Sequence, residues 1–414
     1  MRRGAHLIRL YSDARPNSST LARRIAKRLL KPAEGAPKIS AWKLWSSHLR
    51  NNSFEDLKRL QDDIMEKVVV AGTKTNSMLM GEINQWQFTN GSADIKTPTL
   101  LLHGYAATSM AFHRNFEGLS DYFQNLFAID LPANGLSKCE PLELPYTAPL
   151  PLKLQIKDRT FKLDYTLDYM HHKSVIQRFE DYYLDAIEQW RLDNRLGPIN
   201  LIAHSFGGYI SFKYAVKYPN SVNKLCLVSP LGVERSIYSV NNHFRKNTPY
   251  DLEFENPASK FYVGTKWEIP KILFERQTAL LRDLGPLGAK LCWNYIMAAY
   301  FRVPDVDFKK YVFELFYGKG AQNQIAKDIF IGLFSRRLFA RDPLLDGLQY
   351  LSVNKLLLLY GEHDWMNRYA GMKMTKMALN QGLEAEYSEV TSAGHNLFLD
   401  NPVEFNDKII EFFS

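Results

Sequence analysis

The chain has 414 residues, of which 46% are hydrophobic, so it can bury a large core, and one large domain with insertions fits its length. The net charge of +8 lies in residues 1–31, which hold nine basic residues and one acid; the other 383 residues sum to zero, which argues against a nucleic-acid partner. Three cysteines without paired spacing, Cys139, Cys226 and Cys292, argue against a disulfide framework and a cysteine zinc site.

Residues 1–31 have the composition of a mitochondrial transit peptide, because they are rich in Arg, contain Ser and almost lack acids. Leu21, Ile25 and Leu29 share one helical face, opposite Arg23 and Lys27. A retained helix on an anionic membrane surface and a disordered tail are therefore the alternatives. No apolar run of about 18 residues occurs, so we expect any membrane contact to be peripheral.

Short β-like runs alternate with helical patterns over residues 53–414. Most of these runs are almost continuously apolar, which is typical of buried parallel strands. The predicted strands are Ile83–Phe88, Pro98–Leu102, Leu126–Leu131, Ile199–Ala203, Leu225–Ser229, Lys355–Tyr360 and Ala385–Val390. The alternation predicts an α/β protein with a mostly parallel, doubly wound sheet.

Two long connections interrupt this alternation. Residues 138–178 are rich in Pro, Lys and Asp, which predicts a polar surface insertion. Residues 231–352 are longer than a crossover helix requires and partly helical, which predicts an inserted helical cap. The cap aromatics could line a channel for a long acyl chain or equally form the core of the cap; they are Trp293, Tyr300, Phe301 and Phe334.

The sequence Ala203-His204-Ser205-Phe206-Gly207-Gly208 follows a predicted strand and precedes a helical pattern. A nucleophilic serine on such a strand-to-helix turn is strained, so the residues two before and two after it must be small. Ala203 and Gly207 meet that condition. We therefore predict that Ser205 is a nucleophile.

A second turn, His103-Gly104-Tyr105, follows the predicted strand that ends at Leu102. In serine hydrolases with this strand-turn-helix arrangement, such a turn supplies one backbone N–H to the oxyanion hole and the residue after the nucleophile supplies the other. We assign these donors to Tyr105 and Phe206, and expect the His103 imidazole to be structural.

Asp364 and His395 complete the predicted triad. Asp364 ends the turn after a late apolar strand, and His395 follows one strand later, so the order Ser, Asp, His is that of the α/β-hydrolase fold. Asp342 and Asp130 are the alternative acids. No metal or organic cofactor is indicated, because His171 and His172 lack carboxylates at ligand spacing.

Several longer motifs resemble an α/β-hydrolase subfamily. These motifs are Ile83-Asn84-Gln85-Trp86, His103-Gly104-Tyr105-Ala106-Ala107, Ala203-His204-Ser205-Phe206-Gly207-Gly208-Tyr209, Gly361-Glu362-His363-Asp364-Trp365-Met366 and His395-Asn396-Leu397-Phe398-Leu399-Asp400. The subfamily includes the fungal mitochondrial cardiolipin-specific deacylase, a lysophosphatidic acid acyltransferase and the animal coactivator of adipose triglyceride lipase. The coactivator branch has lost the nucleophile, whereas Ser205 is present here.

The resemblance implies a serine phospholipase that deacylates cardiolipin on the mitochondrial inner membrane. It also implies an alternative, acyl transfer from acyl-CoA to lysophosphatidic acid, attributed to the H-x4-D pattern of His395 and Asp400. A non-catalytic lipid-associated adaptor and a soluble esterase are the remaining possibilities.

Three arginines precede the strand that leads to Asp364, and each could contact a lipid phosphate or be a solvated charge. They are Arg336, Arg337 and Arg341.

Overall fold

A computed structural model describes residues 39–47, 53–142, 154–264, 268–318 and 324–414. The predicted targeting or membrane-surface segment 1–31 lies outside the described residues. Within the described ranges, no helix is both long and apolar enough to cross a bilayer.

The helices alternate with strands as the sequence predicts. They are α1 (Ala41–Ser46), α2 (Ser53–Glu66), α3 (Phe116–Ser120), α4 (Tyr169–Asp193), α5 (Phe206–Lys217), α6 (Lys271–Arg276), α7 (Thr278–Asp283), α8 (Gly285–Ala299), α9 (Val306–Tyr317), α10 (Gln324–Leu333), α11 (Leu344–Gly347), α12 (Arg368–Asn380), α13 (Leu397–Asp400) and α14 (Pro402–Phe413). The strands are β1 (Thr73–Leu79), β2 (Ile83–Thr89), β3 (Thr99–Leu102), β4 (Asn125–Ile129), β5 (Gln155–Lys157), β6 (Thr160–Lys162), β7 (Ile199–His204), β8 (Val222–Val228), β9 (Tyr250–Asp251), β10 (Lys355–Gly361) and β11 (Ala385–Val390).

The contacts divide the chain into two compact units. The first unit holds the described residues within 142–268 and 329–395, and the second holds those within 39–141, 269–328 and 396–414.

The first unit contains four parallel strands, because β7 pairs with β8, β8 with β10, and β10 with β11 in the same direction. Helix α5 connects β7 to β8, and α12 connects β10 to β11. Each of the residues Leu356–Leu359 in β10 is buried, as expected for a strand covered on both faces.

In the second unit, β3 pairs parallel with β4, whereas β2 pairs antiparallel with both β4 and β1. The expected mostly parallel α/β sheet is confirmed. Strand β1 was not predicted, since its sequence is mostly polar, and all seven of its residues are exposed or half-buried.

The segment predicted as a polar insertion, 138–178, has structure of its own. Strands β5, β6 and β9 form a small antiparallel sheet. A residue of β6 joins residues of the neighbouring segments in an apolar cluster, whose buried members are Phe161, Leu163, Leu167, Ile237, Phe244 and Val263. Helix α4 begins at Tyr169, inside the predicted insertion, because the Asp168 side chain accepts a hydrogen bond from the His171 N–H at 3.0 Å and caps the helix.

The segment predicted as a cap, 231–352, contains helices α6 to α11 and belongs partly to each unit. Trp293 is buried and its ring lies 5.8 Å from that of Phe313, so it is a core residue of the second unit. Phe334 is buried in the first unit, whereas Phe301 is 62% exposed.

Candidate active site

Ser205 lies on a sharp turn between β7 and α5, with φ 54° and ψ −112°. A side chain costs energy in this conformation, and such strain is typical of functional turns. The turn is held by the Ser205 N–H, which donates to the Val228 carbonyl at 2.9 Å. Close packing continues after it, since a Cβ on Gly208 would lie 3.1 Å from the Ala203 carbonyl oxygen and 3.2 Å from Cβ of Pro230. The elbow geometry predicted from the sequence is therefore present.

The structure brings Ser205, His395 and Asp364 together within the first unit. The Nε2 atom of His395 lies 3.1 Å from the Ser205 Oγ, and its Nδ1 lies 3.1 Å from the Asp364 Oδ1. Since a carboxylate only accepts, Nδ1 carries the proton and Nε2 is free to accept from the serine hydroxyl. This tautomer is the one that a general base needs.

Asp364 presents a fully buried side chain to the histidine. Its Oδ1 also accepts from the Met366 N–H at 3.0 Å, while among the described residues its buried Oδ2 has no hydrogen-bond partner. Gly361 allows the histidine loop to approach this strand end, because a Cβ there would lie 2.2 Å from the Gly394 carbonyl oxygen. The close approach requires glycine.

Two residues that the sequence analysis did not select hold His395 in place. The Nε2 atom of His204 lies 3.0 Å from the His395 carbonyl oxygen, and the two rings are 4.6 Å apart. The Trp365 ring lies 4.9 Å from the imidazole of His395. Their only signal in the sequence is their position beside Ser205 and Asp364.

The two alternative acids have other partners. In the second unit, Asp130 accepts from the N–H and hydroxyl of Ser109 through Oδ1, and from Asn84 and the Leu136 N–H through Oδ2. In the first unit, Asp342 pairs with Lys213, the two side chains lying 2.6 Å apart. Asp364 is therefore the acid that the structure places at His395.

The turn containing His103 and Tyr105 belongs to the second unit. His103 is buried, with Nδ1 2.7 Å from the Gly104 carbonyl oxygen, while Nε2 accepts from the Leu131 N–H at 2.9 Å. Burial lowers its pKa, so it is a neutral structural residue as expected. Tyr105 donates its hydroxyl to Gln277 at 2.5 Å. Phe206 is buried in the first unit, and the oxyanion-hole roles of Tyr105 and Phe206 stay predictions.

Asp400 ends α13 in the second unit, whereas His395 lies in the first. Its carboxylate lies 3.4 Å from the guanidinium of Arg302. It does not cap the following helix, because the side chain that accepts from the Glu404 N–H belongs to Asn401.

The three arginines suggested as phosphate contacts lie in different environments. Arg336 and Arg337 both pair with Glu268, Arg337 at 3.6 Å. Arg341 is only 4% exposed. No group of three potential metal-ligating side chains occurs in the described part of the chain.

Comparison with known proteins gives a family profile described as alpha/beta hydrolase fold, which matches residues 97–402. The chain is 56% identical to Protein ECM18 of Saccharomyces cerevisiae, covering 100% of this chain and 93% of that protein. It is 46% identical to the 1-acylglycerol-3-phosphate O-acyltransferase ICT1 of the same yeast, covering 87% of this chain and 93% of that protein. It is 25% identical to the human (Lyso)-N-acylphosphatidylethanolamine lipase, covering 56% of this chain and 63% of that protein.

Proposed function

The chain belongs to the α/β-hydrolase family, and on that premise we propose that it is a serine phospholipase that releases a fatty acid from cardiolipin and leaves monolysocardiolipin. The reaction is hydrolysis of one acyl ester, in mitochondrial phospholipid remodelling.

The hydrogen-bonded chain from Ser205 through His395 to Asp364 carries this proposal. His395 takes the serine proton as Oγ attacks the ester carbonyl, and Asp364 stabilises the resulting imidazolium. The lysolipid alcohol leaves with the proton from Nε2, and the acyl group stays on Oγ. Water then attacks the acyl-serine, His395 takes its proton and returns it to Oγ, and the fatty acid leaves.

The choice of a phospholipid is supported by two relatives, which are named 1-acylglycerol-3-phosphate O-acyltransferase and (Lyso)-N-acylphosphatidylethanolamine lipase. Cardiolipin is our choice because the motifs resemble the subfamily of the cardiolipin-specific deacylase, and because residues 1–31 have the composition of a mitochondrial import signal. We accordingly propose a peripheral location on the inner mitochondrial membrane.

The proposal is tested with purified protein and cardiolipin vesicles. Ser205→Ala is expected to lower fatty-acid release by about a million-fold, since the nucleophile is lost. Ser174→Ala is the matched control, because Ser174 lies on α4 and bonds only to the carbonyl of His171. Undiminished release by Ser205→Ala would exclude the mechanism, and full function of that variant in cells would favour an adaptor.

A second candidate is acyl transfer from acyl-CoA to lysophosphatidic acid, favoured by the 46% identity to ICT1. In that case Asp400→Asn should abolish formation of phosphatidic acid while fatty-acid release continues. The control is Asp407→Asn on α14, outside the H-x4-D pattern. If Asp400→Asn changes neither reaction, the pattern has no role in transfer.

A further inference from the structure

Arg341 is one of the two buried arginines among the described residues, the other being Arg368. Arg368, 7% exposed, has an acidic partner, since its Nη1 lies 2.8 Å from Glu389. Arg341, 4% exposed, forms no side-chain hydrogen bond and no ion pair with any described residue, and its Nε is among the buried atoms without a partner. The two buried guanidiniums thus differ in whether an acidic side chain pairs with them.

A buried charge without a partner is costly, because the solvation it loses is not replaced. Burial lowers the pKa of Arg341 to about 10, so the group remains a cation at neutral pH. Buried charges in folded proteins are normally paired. An anion supplied from outside the chain would provide the missing partner.

The backbone of Arg341 is fixed close to the nucleophile turn. Its N–H donates to the Leu333 carbonyl at 2.9 Å, and the preceding residue forms a β-bridge with Phe334. The Phe334 ring lies 6.0 Å from that of Phe206, the residue after Ser205. A ligand held at Arg341 would therefore bind in the same unit as the proposed nucleophile.

A second buried polar atom of the first unit also lacks a partner among the described residues. The buried Nδ1 of His172 forms no hydrogen bond with the described residues. Burial lowers the pKa of His172, and the charges of His171 and then Arg341 lower it further. A protonated imidazole nitrogen, like a guanidinium N–H, donates a hydrogen bond to an anion.

We propose that Arg341, together with His172, binds the phosphate group of the phospholipid whose acyl ester is presented to Ser205. This inference rests on the proposed function. A guanidinium suits phosphate because its N–H groups bind two oxygens at once. Arg336 and Arg337 are less suited, since both already pair with the carboxylate of Glu268.

The kinetic test compares a phosphate-bearing substrate, phosphatidic acid in mixed micelles, with a neutral ester, p-nitrophenyl butyrate. Arg341→Gln should lower kcat/KM about tenfold to a hundredfold for phosphatidic acid, the effect of one or two charge-assisted hydrogen bonds, and leave the neutral ester unchanged. Arg341→Lys should have an intermediate kcat/KM for phosphatidic acid, because lysine keeps the positive charge but cannot bind two phosphate oxygens with paired N–H groups. Arg336→Gln is the matched control and should act like wild type on both substrates.

A binding test uses inorganic phosphate without any substrate. Phosphate should raise the melting temperature of the wild type and of Arg336→Gln, but not of Arg341→Gln. Without phosphate, Arg341→Gln should melt no lower than the wild type, because it removes an unpaired buried charge. Stabilisation of wild type by phosphatidic-acid vesicles but not by free phosphate would show that the lipid headgroup is the ligand.

The outcomes separate this inference from the proposed function. If Arg341→Gln keeps the full preference for phosphatidic acid, the inference is wrong while hydrolysis stands. If the wild type hydrolyses no ester but phosphate stabilises it through Arg341, the proposed function is wrong and the anion site stands. Equal stabilisation of wild type and Arg341→Gln by both phosphate sources would overturn the site.

Discussion

Two polar clusters of the first unit lie along helix α5, and each contains an aspartate, with the Asp364 side chain fully buried and that of Asp342 21% exposed. At the start of the helix, Asp364 faces His395, with 3.1 Å between Oδ1 and Nδ1. Further along, Asp342 faces Lys213 at 2.6 Å, and Glu180 lies 3.7 Å from the same ammonium. Among the described residues, no lysine or arginine partners the Asp364 carboxylate of the first cluster, whereas the second cluster is built around Lys213.

This difference determines what each carboxylate can do. Burial opposes ionisation of Asp342, but Lys213 outweighs it and lowers the pKa, so this aspartate is a permanent ion held by a permanent cation. Asp364 meets a neutral imidazole, and it can therefore stabilise the positive charge that appears on His395 during reaction. Of these two aspartates, the one without a lysine or arginine partner is suited to catalysis.

The largest expected effect is on kcat, which should differ strongly between substitutions of these two aspartates. Asp364→Asn should lower kcat for ester hydrolysis by about ten-thousand-fold, because the amide stabilises the wrong imidazole tautomer. Asp342→Asn should leave kcat within about threefold of wild type, since the residue does not touch the imidazole, and differences of this size are under 1 kcal/mol. Steady-state kinetics on p-nitrophenyl butyrate would measure both. A comparable loss in the two variants would contradict the assignment.

The sequence predicts the first cluster because local patterns fix its members. Small neighbours around Ser205, and turns that follow apolar strands at Asp364 and His395, are each readable within a few residues. The strands that carry them are readable for the same reason, since buried parallel strands are continuous apolar runs.

The second cluster is not predictable in this way, because it joins residues distant in the chain. Glu180, Lys213 and Asp342 come from α4, α5 and the turn before α11, and only the tertiary fold brings them together. The same holds for Glu268, which is distant in the chain from Arg336 and pairs with it. This ion pair is what distinguishes Arg336 from Arg341, which has no acidic partner among the described residues. Side-chain partnership between distant segments leaves no periodic signal.

The next effect is on stability and concerns the lysine itself. Lys213→Met should lower the free energy of unfolding by about 3 to 5 kcal/mol, because it leaves Asp342 and Glu180 buried without their cation. Urea unfolding would measure the change. Combining it with Asp342→Asn and Glu180→Gln should restore much of the loss, since no buried charge then remains.

Lys217→Met is the control for that experiment. Lys217 lies one turn later on α5 and pairs with Asp181 and Asp185 at 2.6 and 2.5 Å, but its side chain is 31% exposed. Because exposed pairs contribute little, its loss should cost about 1 kcal/mol or less. Equal losses for Lys213→Met and Lys217→Met would show that burial does not set the strength of the second cluster.

The smallest effect is a pH dependence of stability at Glu180. The cluster has two carboxylates for one ammonium. Burial raises the pKa of Glu180 from 4.5 to about 7; the charge of Lys213 lowers this pKa, and the charge of Asp342 raises it. The folded protein thus binds a proton that the unfolded chain releases between these values. The resulting stability is full below pH 4.5 and is lost as the pH rises through 7.

Glu180→Gln should remove that dependence, because glutamine resembles the protonated acid and does not titrate. Between pH 5 and pH 8, the free energy of unfolding should fall further for the wild type than for the variant. We expect the difference between the two decreases to be on the order of 2 kcal/mol. Glu314 in the second unit, whose pKa burial also raises to about 7, contributes equally to both proteins and cancels in the comparison. Parallel stability curves for the two proteins would mean that folding does not raise the pKa of Glu180, and would contradict this prediction.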